Sequence, residues 1–438
     1  MSTDKTKKIS SKKEPLLSVK GMRDIMDSQY YLYQGFFEKA QEIAIYYGFK
    51  PIETPILENE EVFTSTIGAG TDIIDKEMYT LKTKGGDKLA LRPEGTASVM
   101  RAYIEHGMQN LPQPVMHYYY GPMFRHDKPQ RGRYRQLYQF GLEAIGSEKS
   151  IIDALLIKTT LTILEEAGAE NLVIDLNSMG DKESRTQYTR ELITYYKKHA
   201  NALPPVDRER LKTNPLRILD SKDPKTIEIN QDAPDAISSL SPNAKKHFKE
   251  VLSYLDEMEV NYQINKNLVR GLSYYTHTIF EIMQENTNED GTQTTLAIAG
   301  GGRYDNLARA LGSKKDVPAM GVAIGVDRVV ESPWYKKLSP RIIKKPKFYF
   351  IQIGLDAKLK SLNVIEILRK AHIPILQSLS KDTLSQQLGM AEKSGAPYAL
   401  IFGQKEALEQ SVIVRNMEKH AQETIKLDKL LEYIKEMK

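Results

Sequence analysis

The segment RYRQLYQFGLEAIG, residues 133–146, sets arginines, amides and a carboxylate at alternating positions. In a strand, successive side chains point to opposite faces. One face then carries Tyr134, Gln136, Tyr138, Phe140, Leu142 and Ala144. The other carries Arg133, Arg135, Leu137, Gln139, Gly141, Glu143 and Ile145. Gly141 leaves space in the middle of that second face. A strand before it, ending at Phe124-Arg125, delivers another arginine through a hairpin. A floor crowded with guanidinium groups suits a phosphate-bearing substrate, because the planar fork of Arg matches phosphate oxygens bidentately. The competing reading is the solvated face of an antiparallel sheet.

Three further segments carry chemistry. NLVRGLSYYTHTIF, 267–280, has the Val, Tyr, Thr and Ile content of a strand, with Arg270, Tyr274 and Tyr275 inside it. Arg270 is either a cation aimed at a ligand or a core arginine paired with a structural acid. AIAGGGRYDNL, 297–307, has three consecutive glycines, which mark a bulge or a close approach of backbone to ligand. No Lys-Ser/Thr follows, so it is not a P-loop. No GxGxxG occurs, which disfavours a dinucleotide-binding Rossmann site. ATP, if used, would bind on an antiparallel sheet. LRPEGTASVMRAY, 91–103, puts Glu94 and Thr96 ahead of a helix, where simple capping with Thr96 as N-cap also accounts for them.

These residues need elements to position them. A helix is expected from a Ser28 cap to about Tyr47, with Tyr33, Phe37, Ala40, Ala44 and Tyr47 at spacings of three and four and Gly48 as the stop. FKPIETPILE follows, extended, with Pro51 and Pro55 suited to an edge or an interface. Residues 78–92 read as a hairpin, 96–106 as a helix, and 114–126 and 133–146 as long strands joined by HDKPQRG. Ser150 begins a helix to about Gly168, with Asp153 at capping-box spacing. A strand, NLVIDLNSMG, precedes a helical, charge-rich stretch over 181–260. Strands return at 267–283 and 294–302, linked by the acidic QENTNEDGTQ, and MGVAIGVDRVV passes into a helix. Beyond a Pro- and Lys-containing linker, strands 348–353, 397–402 and 411–416 alternate with helical patterns, predicting a small α/β domain.

Composition bounds the class. The 438 residues exceed one ordinary core and imply two or three domains. There are no cysteines, which excludes disulfides, thiolate zinc sites and cysteine nucleophiles and suits a reducing cytoplasm. The eight histidines show no HExxH pairing, so no resident metal is expected. A net charge of +5 permits a polyanionic partner without demanding one. The Lys-rich residues 1–17 read as a disordered tail, with a nucleic-acid arm as the alternative. No run approaches membrane-spanning length.

Taken together, the segments resemble class II aminoacyl-tRNA synthetases, and among them the histidyl-tRNA synthetases. The first family motif is similar to helix 28–47 with GFKPIETPILE, the second to GPMFRHDKPQRGRYRQLYQFGLEAIG, the third to AMGVAIGVDRV. The histidine-specific signatures resemble LVRGLSYYTHTIFE and AGGGRYDNL; LRPEGT is shared more widely. The resemblance runs in order from about residue 18 to the C-terminus. It implies an α+β catalytic core with an antiparallel sheet flanked by helices over 18–331, a helical insertion at about 181–260, a linker at 332–346 and an anticodon-binding α/β domain at 347–438.

It also implies roles. Glu94, Gly95 and Thr96 would hold the amino group of L-histidine, and Gln139 would meet the amino acid. Glu143 and Tyr275 would read the imidazole nitrogens, with Tyr274 beside them. Arg125 would grip the α-phosphate of ATP and Arg328 the γ-phosphate. Gly300 to Gly302 would admit the ligands to the backbone, and Arg270 would lie where carboxylate and α-phosphate react. Mg2+ would accompany the nucleotide, tRNA(His) would accept the product, and the enzyme would be a cytoplasmic homodimer. Two positions depart from the family pattern: Ser273 stands where Asp is usual, and His277 where Arg or a small residue is frequent. Strand alternation would turn Ser273 away from Arg270. The rival readings are a silent paralogue resembling the regulatory subunit of ATP phosphoribosyltransferase, and a module that senses uncharged tRNA.

Overall fold

The computed structural model describes residues 15–68, 71–129, 132–287, 293–341 and 346–437. The Lys-rich stretch up to residue 14, the tip of HDKPQRG, the centre of the acidic loop and residues 342–345 of the expected linker lie outside these. The chain divides into two compact units, with the boundary between Pro340 and Arg341.

The first unit is built on an eight-stranded sheet. Its strands run in the order Lys50–Pro51, Val115–Phe124, Gln136–Ile145, Ala319–Gly325, Gln293–Arg303, Thr276–Thr287, Leu172–Ser178, Tyr262–Ile264. The six inner strands pair antiparallel, and the short outer strand at each edge pairs parallel. The sheet is therefore mixed, with an antiparallel centre. Pro51 sits on an edge strand, where its missing N–H costs no ladder bond.

Alternation along the hairpin sorts the faces. Phe140, Leu142 and Ala144 are buried with Tyr118 against Phe36, Ala40 and Ala44 of helix Asp27–Tyr46 and Ile157, Leu161 and Leu164 of helix Ser150–Ala167. Truncating Phe140 to Ala there would cost about 3–5 kcal/mol. Gln139, Gly141 and Glu143 face the other way.

Several local expectations change. Helix Asp27–Tyr46 has Met26 as N-cap without a side-chain bond, so Ser28 is inside the helix and does not cap it. Helix Ser150–Ala167 has Lys149 at its N-cap and no capping box; Asp153 is fully buried and binds Arg303 instead. The strand expected over 267–283 begins at Thr276, and residues 265–275 form a loop. Arg270 and Arg125 are thus not on two strands, and Arg125 itself lies one residue past its strand. The alternation argument for Ser273 falls with it.

Between Lys182 and Glu257 the helices Lys182–Lys198, Pro205–Thr213, Pro224–Gln231 and Pro242–Glu257 follow one another. Three of them start on proline. That ring fixes φ for the first turn, where an N–H has no partner anyway. Asp181, Asp223 and Ser241 cap with their side chains. Trp334 and Leu338 pack against the first unit's core, where sequence suggests a linker.

The second unit has a five-stranded sheet in the order Ile375–Gln377, Phe348–Gln352, Tyr398–Phe402, Ser411–Asn416, Gln422–Lys426. Its first three strands are parallel and its last two antiparallel to their neighbours. Helices Leu355–Lys370 and Leu384–Ser394 make the crossovers. Its core is its own, centred on Phe350, Leu400 and Phe402.

Candidate active site

The polar face of the central sheet is made concave by glycine. Register places Gly321 opposite Glu143, Gly141 opposite Tyr119, and Gly121 and Gly325 on either side of Gln139. Gly302 pairs with Gly321, and Gly300 with Glu281. A Cβ on Gly321 would fall 1.7 Å from Glu143 Oε2, and one on Gly300 would fall 2.5 Å from Arg270 Nη1. Added side chains would fill the space these groups use. The triple glycine therefore sits within a strand, beside a register shift between Ala297 and Ala299.

At one end lies a pocket of carboxylates and hydroxyls. Glu94 precedes helix Thr96–Glu105, and its carboxylate accepts from Thr96 N at 2.7 Å and Ala97 N at 2.9 Å. Glu94, rather than Thr96, satisfies the helix start. Thr96 is freed to donate its hydroxyl to Glu143 Oε1 at 2.7 Å. Tyr304 donates to Glu143 Oε2. Glu143 has no exposed surface. Burial pushes its pKa up to about 8, opposed by the bonds from Tyr304 and Thr96 and reinforced by the charge of Glu94. Burial raises Glu94 too, against the two backbone N–H bonds.

Aromatic rings close this pocket. Tyr274 and Tyr275 have centroids 4.7 Å apart, and Tyr274 meets Tyr304 edge-on at 5.8 Å. The Tyr274 hydroxyl is 3.5 Å from Glu94 Oε2. The ring of Tyr119 fills the room left by Gly95 and Gly141, where a Cβ would lie 2.3 Å and 2.1 Å from its Cζ. Gln139 is buried with its Oε1 unpartnered within the protein, which leaves a free acceptor on this face.

At the other end lie cations. Arg125 Nε donates to Pro93 O at 2.8 Å, and Arg328 donates to Ala297 O in the strand irregularity. Main-chain carbonyls aim these guanidinium groups without neutralising them. Burial pushes the Arg328 pKa down, and so do Arg133, Arg125 and Arg270; Glu281 opposes. Arg270 is bonded to Glu281 and lies near the Tyr275 ring, 5.8 Å from its centroid. The structural acid that sequence reading allowed for Arg270 thus exists, but it stands on the same face as the other cations. Four guanidinium groups against Glu281, Asp127 and Glu77 leave a net positive field, which fits a polyanion.

Of the residues singled out from sequence, Glu94, Thr96, Glu143, Tyr274 and Tyr275 gather at the carboxylate pocket and Arg125, Arg270 and Arg328 among the cations, whereas Arg133 and Arg135 precede the strand, which begins at Gln136. Tyr304, Tyr119 and Gly321 were missed. Tyr304 had a signal, since it follows the glycine triplet directly. His277 adopts φ +43° and stands 3.9 Å from Asp305, away from the carboxylate pocket.

An antiparallel sheet with buried carboxylates at one end of a face and guanidinium groups at the other has the layout of the class II aminoacyl-tRNA synthetases. The histidyl-tRNA synthetase family model matches residues 21–329, and that of the anticodon binding domain matches residues 350–437. The chain belongs to the histidyl-tRNA synthetase family. It is 41% identical over 417 residues to a histidine–tRNA ligase of Thermodesulfovibrio yellowstonii, covering 95% of this chain and 97% of that one. It is 36% identical to the histidine–tRNA ligase of Staphylococcus aureus, over 95% of this chain and 99% of the other. The apo S. aureus histidyl-tRNA synthetase structure superposes with a TM-score of 0.79, at 32% identity over 96% of this chain and all of that one. A Bacillus halodurans chain described as an ATP phosphoribosyltransferase regulatory subunit/histidyl-tRNA synthetase shares the fold, with a TM-score of 0.60 and 21% identity over 87% of this chain and 97% of its own.

Proposed function

We propose that the chain activates L-histidine with MgATP and transfers it to tRNA(His). The observation that carries this is the joining on one sheet face of a buried carboxylate, Glu143, bonded by Thr96 and Tyr304, with the cations Arg125, Arg270 and Arg328. A carboxylate oxygen of histidine attacks the α-phosphorus in line, the bond to the bridging oxygen breaks, and pyrophosphate leaves. The 3′-terminal ribose hydroxyl of the tRNA then attacks the mixed anhydride and AMP departs.

Charge stabilisation, not a base, is the main demand of the first step. Arg270 and Arg125 hold the reacting phosphoryl and carboxylate oxygens, and Arg328 holds the γ-phosphate. Glu94, with Gly95 and Thr96, receives the amino group. Gln139 supplies an acceptor. Glu143 and Tyr275 pair with the imidazole, with Tyr274 alongside, and analogues that leave them unpaired are rejected. The metal arrives with the nucleotide; among the described residues no three His, Asp or Glu side chains gather to hold one. The reaction belongs in the cytoplasm, which a cysteine-free chain suits.

The second unit binds the anticodon arm. The silent-paralogue reading is disfavoured because this chain keeps both that unit and the arginines. The active form is a homodimer. Helix Asp27–Tyr46 exposes Tyr30, Tyr31, Ile45 and Tyr46, and the proline-bearing segment after it exposes Ile56 and Leu57. Such apolar surface suits a two-fold contact. Light scattering at micromolar concentration should give twice the chain mass; a monomer contradicts the pairing. Aminoacylation assays with tRNA(His) test the whole reading, and charging of tRNA with another amino acid would overturn it.

A further inference from the structure

Residues 265–275 carry Arg270, Tyr274 and Tyr275, yet they join no sheet. Within the catalytic core Ser273 N donates to Ile67 O at 3.1 Å, and Asn177 Nδ2 donates to Leu268 O at 3.1 Å. Asn265 also bonds Leu176 O and Asp175, and Arg270 bonds Glu281; further support comes from the helical segment that follows Asp181. Arg185, in helix Lys182–Lys198, donates through Nη1 to Ser273 O at 2.9 Å and to Tyr275 O at 3.3 Å. Arg217, in the turn Pro215–Ile218, bonds Asp72 at 2.5 Å and approaches Gly271 O at 3.5 Å.

Packing beneath the loop is incomplete. A cavity of about 30 Å³ lies there, with Arg185, Arg217, Leu272 and Tyr275 in its wall. That is room for roughly one water. Leu268, Tyr274 and Tyr275 are anchored in the apolar core, and the main chain between them is fixed by polar links. Burial pushes the Arg185 pKa down, and its acceptors are two carbonyls of this loop. A desolvated guanidinium on carbonyls is an expensive way to hold a loop that needs no particular geometry.

We infer that Arg185 and Arg217 are positioning residues: they set the loop bearing Arg270, Tyr274 and Tyr275, so the helical segment governs how well the histidine pocket is formed. This rests on the histidine-activation reading. Arg185 touches backbone on both sides of Tyr274, so its loss lets both tyrosines and Arg270 drift while Arg125 and Arg328, the other groups assigned to ATP, stay in place. Displacement by about 1 Å at a reacting centre can cost on the order of a hundredfold.

The test uses the full chain with Arg185→Met, Arg185→Lys and Arg217→Gln. In histidine-dependent pyrophosphate exchange, Arg185→Met should raise the histidine KM and lower kcat, with the ATP KM changed less than about threefold. Lys should restore part of the loss, because its ammonium can donate to both carbonyls as Nη1 does but sits on a shorter stem and reaches them less well. Amide hydrogen exchange needs no activity. Residues 269–275 should exchange faster in Arg185→Met, with helix Ser150–Ala167 unchanged. If wild type shows no exchange activity, the histidine reading falls while the amide measurement still decides the brace. Unaltered loop protection in Arg185→Met overturns the inference, and so do equal rises in both KM values with a lowered melting temperature. Should Arg185→Met fail to fold, Arg185→Lys and Arg217→Gln carry the same two measurements, and normal values in both overturn it.

Discussion

The Thr96 hydroxyl donates to Glu143 Oε1 over 2.7 Å, tying the first turn of a helix to the middle of the central sheet. Tyr304 holds the other oxygen. The carboxylate is fixed before any ligand arrives, which removes part of the ordering cost of binding.

Glu143→Gln should therefore damage histidine recognition selectively. The amide has no proton to pass to the imidazole, and its NH2 cannot accept from whichever hydroxyl faces it. The charge-assisted hydrogen bond formed when that proton is shared contributes about 1.5–3 kcal/mol, so the histidine KM should rise by about 10- to 100-fold with little change for ATP. Steady-state exchange kinetics check this. An unchanged histidine KM would place Glu143 outside the pocket.

The same group makes stability depend on pH. Burial holds Glu143 near a pKa of about 8, whereas an unfolded glutamate titrates near ~4.3. Between those values the folded chain keeps a proton that the unfolded chain has lost. The stabilisation from this proton is complete at low pH and disappears as pH rises through about 8. Glu94 shifts in the same direction. The slope of melting temperature against pH should therefore be less negative from pH 5 to 9 in Glu143→Gln than in wild type. Histidine affinity should weaken above about pH 8, where the pocket must recover a proton to share with a neutral imidazole. Parallel slopes in both proteins would contradict the assignment.

Gly300→Ala tests the glycine floor. Its Cβ would meet Arg270 Nη1 at 2.5 Å, the mobile end of a long side chain. The arginine can swing aside, so melting should change little. Its misplacement should lower kcat for adenylation by on the order of a hundredfold. Full activity would show that Arg270 does not act from this position.

Much of this site was legible in sequence because a strand has period two. The alternation over 133–146 separated Gln139, Gly141 and Glu143 from Phe140, Leu142 and Ala144, and the structure keeps that division. The same logic failed at 267–275. Its Val and Tyr content imitates a strand, but Arg185 and Arg217 take carbonyls that a ladder would need. Those partners lie 54 to 90 residues away, and no local pattern announces them. Thr96 was read as a cap because hydroxyls usually cap; here Glu94 took both N–H groups. Tyr119 could not be placed, since its room comes from glycines on two other segments, Gly95 and Gly141.

Removing residues 341–438 should separate the two halves of the activity. The second unit has its own core, and the residues assigned to activation lie in the first. Histidine-dependent pyrophosphate exchange should persist, while aminoacylation should fall sharply and lose most of its salt dependence, as expected when phosphate contacts are deleted. Equal loss of both, in a truncated protein that melts normally, would contradict separate roles.

The most direct test is histidine-dependent exchange of labelled pyrophosphate into ATP, run on wild type and on Arg270→Ala. The Arg270–Glu281 pair is only partly buried, so its loss should cost on the order of 1 kcal/mol of stability. Wild type should exchange with histidine and not with other amino acids. Arg270→Ala should lose a hundredfold or more of that rate, the scale expected for a transition-state cation, and still fold. A wild-type protein with no histidine-dependent exchange, or a folded Arg270→Ala that exchanges at the normal rate, would contradict the account.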